Sequence, residues 1–198
     1  GCKKMDVNFA KRSMHYSSNL RLNNMEMQFS FMSIDFGKIR KICDMSAVIR
    51  KYIYNFEDFT DYYLCLCDEL GQRQEKHTSY YTDKMHLRVG FHNRTVMSAP
   101  GEDLDMIFLR KELLPHELID EAPQCFYFVP VHYQNTCFGY EAYRFSRPDN
   151  GGSIYARWTI AVANAIEAIL VQQKLHNLID ELENMYIRDV MTGLYNRR

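Results

Sequence analysis

The sequence predicts an α+β fold: an antiparallel sheet, with helices from both ends of the chain packed on one side. Three observations predict it. Apolar residues recur at helical spacing near both termini, the middle of the chain switches to strand periodicity, and two of its apolar runs flank a two-residue turn.

Residues 7–34 read as a helix. Tyr16, Leu20, Met27, Phe31 and Ile34 recur at intervals of four, seven, four and three, the narrow seam of a helix that pairs with another. Residues 33–37 interrupt the pattern, and Asp35 is placed to cap a second amphipathic helix over 36–54, with Ile39, Ile42, Ile49 and Ile53 on its stripe. Residues 55–61 are polar and turn-like.

Residues 62–67 form a nearly continuous apolar run, as a buried strand does. Lys84–His92 alternates, with Met85, Leu87, Val89 and Phe91 on one face and His86, Arg88, Gly90 and His92 on the other. Met106–Leu109 reads as a further strand, ended by Leu113, Leu114 and Pro115. Segments 125–133 and 136–145 form a hairpin across Gln134 and Asn135. A turn cluster, Pro148 to Gly152, precedes a helix over 154–187, about 50 Å long. Its first half is apolar on several faces, as a buried or dimer-facing helix is; its second half narrows to Leu175, Leu178, Leu182 and Met185, a seam that calls for a partner helix.

Composition excludes several classes. Lys and Arg number 24 against 25 Asp and Glu, so no basic surplus exists to neutralise nucleic-acid phosphates. Apolar residues make up 46% of the 198, too many for a disordered chain. The most apolar stretch carries Arg157, Asn164 and Glu167, which argues against a membrane span. No apolar core follows the first residues, as a secretory signal requires, so a cytoplasmic location is expected. Of the six cysteines, Cys65 and Cys67 share a strand face, badly placed to bridge each other, and no paired Cys-x-x-Cys or Cys/His cluster suggests zinc. Cys65, Cys125 and Cys137 read as small buried hydrophobes. His86 and His92 stand six residues apart on one face, about 20 Å, too far to share a metal.

The end of the chain is the most specific signal. Asp189, Met191, Thr192, Gly193, Leu194, Asn196, Arg197 and Arg198 match, position by position, the opening pattern of the GGDEF family, the diguanylate cyclase domains. The resemblance implies that these residues begin a GGDEF domain whose Mg²⁺-binding carboxylates, GTP-reading residues and signature loop lie beyond residue 198. The parent protein would be a diguanylate cyclase making c-di-GMP from GTP; the 198 residues carry no catalytic group of it and no Gly-rich phosphate loop. The preceding region resembles a GAF domain, a small-molecule sensor module, in its element order, in Leu113-Leu114-Pro115 before the Phe128-Val129-Pro130-Val131 strand, and in Gly139. A PAS-like domain is the rival, but it more usually begins with strands.

The resulting organisation is a dimerisation helix over 1–35, a GAF-like sensor core over 36–153, a signalling helix over 154–187 and the start of a GGDEF domain over 188–198. A sensor pocket is expected between the sheet and residues 93–119, within reach of Arg88, Arg94, Arg110 and His116, with an unidentified small molecule as ligand. No cofactor or metal is expected in these residues; Mg²⁺ and GTP belong to the GGDEF domain. The expected partner is a second copy, joined through Tyr16, Leu20, Met27 and Phe31 and through Leu175, Leu178, Leu182 and Met185. The rival is a ligand-free scaffold that dimerises and positions the catalytic domain.

Overall fold

The computed structural model describes residues 24, 26–55, 59–76, 80–99, 102, 104–146 and 152–187. Helix α1 covers 26–36 and α2 covers Met45–Ile53, after a 3-10 turn at Ile42–Asp44. Strand β1 (Phe59–Cys67), helix α3 (Leu70–Lys76), strands β2 (Lys84–His92), β3 (Thr95–Val96) and β4 (Met106–Leu109) follow. After 3-10 turns at Arg110–Glu112 and His116–Leu118 come β5 (Tyr127–Tyr133), β6 (Thr136–Phe145) and helix α4 (Gly152–Ile187). The fold is α+β, built on a six-stranded antiparallel sheet ordered β3-β2-β1-β6-β5, with β4 also paired to β2.

Three layers result. On one face, Tyr62, Leu64 and Leu66 of β1 pack with Phe29 and Met32 of α1, Met45 and Ile49 of α2, and Trp158, Val162 and Ile166 of α4. On the other, Tyr63, Cys65, Cys67, Tyr140 and Ala142 lie under Phe108, Leu114 and Leu118 from the irregular segment between β4 and β5. β1 is therefore buried on both faces, which is why its sequence is a continuous apolar run rather than an alternation.

Two expectations about the helices change. Asp35 caps nothing: α1 runs on through Phe36, which is buried, and stops at Gly37, whose amide donates to the Ser33 carbonyl at 3.1 Å. Asp35 instead accepts from Lys38 (2.8 Å), Lys51 (2.6 Å) and Tyr52 (2.7 Å), tying α1 to α2 and holding its carboxyl well below the usual carboxylate range. Residues 36–54 are accordingly not one helix. The residues before Asn24, with Tyr16 and Leu20, lie outside the described part, as does the segment 188–198.

The sheet faces hold a second surprise. Val89 opposes Leu64 but Leu87 opposes Cys65, so Arg88 is an extra residue, a β-bulge. The bulge switches faces: Met85 and Leu87 point to the cover, Val89 and Phe91 to the helices. The clean alternation in the sequence thus serves two cores, and His86 and His92 end on opposite faces rather than one. Cys125 is exposed and precedes β5, because Phe126 turns inward against Tyr63 with ring centroids 6.1 Å apart.

Gly139 in β6 has φ +151°, and a Cβ there would sit 2.1 Å from the Cys65 carbonyl oxygen and 2.8 Å from the Leu66 Cα. Neither obstacle is a flexible side chain. Gly139→Ala should therefore destabilise the fold by about 3 kcal/mol or more in urea titrations, beyond an ordinary glycine replacement.

Candidate functional site

The four expected pocket residues each meet a different environment. Arg88 pairs with Asp105 at 3.1 Å, and Arg110 with Asp83 at 3.2 Å. Arg94 is exposed in the β2–β3 turn, where its amide donates to the Thr60 carbonyl at 2.9 Å, and His116 is exposed in its 3-10 turn. Asp105 also accepts from His86 Nδ1 at 2.7 Å, so Arg88 and His86 share a carboxylate at the rim of β2.

A different constellation is assembled on the cover face where β1, β2 and β6 meet. Asp61 is fully buried and opposes Arg144 across the β1–β6 ladder. Arg144 donates Nε–H to Asp61, and its Nη2 donates to Asn93 Oδ1 at 2.7 Å. The Asn93 amide donates to Asp61 Oδ1 at 2.5 Å, which holds Asn93 and Arg94 in left-handed conformations (φ 47° and 63°) at the β2–β3 turn. His92 Nδ1 lies 2.6 Å from the Tyr63 hydroxyl and 3.5 Å from Asp61. Burial pushes the Tyr63 hydroxyl above its ordinary range. Asp120, from the cover, approaches Arg144 at 3.7 Å. The network is charge-compensated and reaches the surface at one end of the cover, so it suits binding and positioning rather than bond-making.

The helix face carries a second buried charge. Glu141 is fully buried and accepts from Tyr62 (2.7 Å), from Thr159 of α4 (2.5 Å) and from Tyr143. Desolvation raises its pKa, and the three hydroxyls oppose that shift. Among the described residues no basic side chain is bonded to this carboxyl; its partners include three hydroxyls, one of them from the long helix. Glu141 is therefore a polar link between sheet and α4.

The sequence reading missed both centres. The legible signals were a charged residue inside each of two apolar strands, and the unlike pair Asp61 and Arg144, but their register was not visible before the ladder was known. Among the described residues no group of three or more His, Cys, Asp or Glu is placed to hold a metal, and no helix is long and apolar enough to cross a membrane. Comparison with family models, with curated proteins and with solved structures gives no match to this chain.

Two expectations follow. Asp61→Ala, which strands Arg144 and the Asn93 amide, should lose about 3 kcal/mol by urea unfolding. Glu141 has a raised folded pKa, so the unfolded chain gives up this proton first and the wild type loses stability as pH rises above the ordinary carboxyl range. Glu141→Gln removes that slope, at most about 1.4 kcal/mol per pH unit; its stability relative to the wild type should therefore improve from pH 4 to pH 8, and unfolding curves across that range check it.

Proposed function

We propose that this chain is a GAF-like regulatory domain that dimerises through its helical layer and controls the output of a diguanylate cyclase domain beginning at residues 188–198. The observation that carries the reading is α4. Its first half is buried against the sheet, yet every residue from 171 to 183 is exposed, including Leu175, Leu178, Ile179 and Leu182. That stretch leads straight to the segment resembling a GGDEF opening, Asp189 to Arg198. An isolated helix of this length is marginal in water, so an apolar seam on it calls for a partner. On α1, Met27, Phe31 and Ile34 are exposed as well, each about half or more.

The GAF-like assignment is supported by order: two helices precede the first strand, where a PAS-like domain would begin with strands. A small molecule bound under the cover would act on β1 and β6, and through Glu141 and Thr159 on α4. In this reading Mg²⁺ and GTP are used by the GGDEF domain, and residues 1–187 turn over nothing.

One observation favours the ligand-free scaffold instead. The cover face is filled with buried side chains, Tyr63, Cys65, Leu87 and Tyr140 among them. A thermal-shift screen of nucleotides, amino acids and organic acids separates the two readings, since a bound ligand raises Tm by mass action and a filled core gives no shift.

Dimerisation is tested by sedimentation of the 198-residue chain. A dimer is expected at tens of micromolar, and the pair Leu178→Glu, Leu182→Glu should weaken association at least tenfold with the circular dichroism of the core intact. A monomeric wild type at that concentration would sink the reading.

A further inference from the structure

The exposed stripe of α4 keeps a strict period. Ala161, Ala168, Leu175 and Leu182 stand seven residues apart, and Asn164, Val171 and Leu178 follow the first three of them at a distance of three. Alternating steps of three and four are the a and d positions of a coiled coil, and they hold without a break from 161 to 182. Ala161 is half-buried beside the domain, and the other six are exposed. A helix drifts by only about 20° per such repeat, so the stripe stays on the side turned away from Trp158, Val162 and Ile166, which face the sheet.

One polar side chain interrupts this stripe. Asn164 stands at a d position between Ala161 and Ala168, and it lines the groove where α4 meets Phe29 and Ser33 of α1. The two alanines leave a second helix room to approach closely at its level. A carboxamide has an acceptor oxygen and a donor nitrogen, so it can both give and take a hydrogen bond with another carboxamide set opposite it. Against an alkyl side chain it loses its water and gains no partner.

We propose that α4 pairs with α4 of a second copy of this chain in parallel and in register, and that Asn164 fixes this arrangement by hydrogen-bonding its own counterpart. The proposal rests on the dimer reading above and names the residue that selects one dimer from those the seam allows. In parallel register the two amides lie at one height, and Val171, Leu175, Leu178 and Leu182 meet their own counterparts beyond them. Reversing one helix over the same span sets each Asn164 near the height of Leu178 in the other copy. Sliding one helix by a heptad sets it against Val171. The apolar positions tolerate all three arrangements; the amide is satisfied in one.

The choice decides where the helices end. Parallel helices bring the two Ile187 ends side by side, at the point where the sequence enters the segment resembling a GGDEF opening. A reversed pair overlapping over 161–182 holds those ends roughly 30 Å apart or more.

The test uses the 198-residue chain with p-benzoylphenylalanine in place of Glu181, an exposed position flanking the seam. Plain and isotope-labelled chains are mixed, left to exchange, irradiated and digested, so that a link between copies carries both labels. With Asn164 in place, light scattering should give the mass of a dimer, and links should fall only in peptides around residues 177–186 of the second copy. Asn164→Leu changes an exposed position and should leave the circular dichroism of the domain intact. It should tighten association roughly tenfold and lose the single arrangement, so that links to residues 157–170 appear or the mass rises above a dimer. Asn164→Val should do the same. Links to residues 157–170 with Asn164 in place, or variants whose map and mass match the parent chain, would overturn the proposal and leave the dimer standing. A parent chain that is monomeric at tens of micromolar overturns both.

Discussion

Everything in this fold leans on the burial of β1. It is hydrogen-bonded on both edges, to β2 and β6, and covered on both faces, by three helices and by the segment between β4 and β5. From Asp61 to Cys67, every side chain of this strand is at most 2% exposed. A strand enclosed on four sides leaves its backbone no partner but its neighbours and its side chains no escape to water. The close approach of Gly139 to the Cys65 carbonyl is one consequence: β6 needs a residue without a Cβ to come near enough.

The same enclosure decides how the buried charges are treated. Asp61 sits on the cover face at the strand's beginning and is answered by a guanidinium and a backbone amide. Glu141 sits on the helix face and is answered by dipoles, three hydroxyls among them. A charge met by an opposite charge is neutralised in place; one met by dipoles remains sensitive to whether it carries a proton. The two centres lie on opposite sides of one sheet, and only Glu141 touches α4. If the domain transmits a signal, the hydroxyl-bound carboxyl is the link that registers a change in the sheet.

How far the sequence could be read follows from these particulars. The strands Lys84–His92 and Met106–Leu109, and the span of the long helix, were legible because period and turn residues mark them. Helix α3 was not, since Leu70 to Lys76 has no amphipathic stripe and owes its place to Arg73 under β6. The bulge at Arg88 was invisible for a subtler reason. A one-residue insertion within an alternating strand keeps the alternation intact while exchanging the faces, so the pattern predicts burial correctly and destination wrongly. His86 and His92 were misplaced on that account, and the Asp61 network with them, because His92 reaches it only after the exchange. Proximity to the cover is all that singles out Arg88, Arg94, Arg110 and His116 in the sequence; the pairing of Arg88 with Asp105 and Arg110 with Asp83 needs the fold.

The long helix has an angular logic that bears on partner choice. Successive residues turn by about 100° around a helix. Trp158, Val162, Ile166 and Ile169 therefore fall on one stripe, the one buried against the sheet. Ile160, Val171, Leu175, Leu178 and Leu182 fall on the opposite side, and all are exposed. The apolar seam thus begins beside the domain, next to a groove where Ile160 and Asn164 meet Phe29 and Ser33 of α1, and continues along the projecting half. A seam that belonged to an intradomain core would face the sheet; this one faces away along its whole length. In the dimer proposed above, a parallel second copy, presenting the same seam about a twofold axis along the helix, would cover both seams at once.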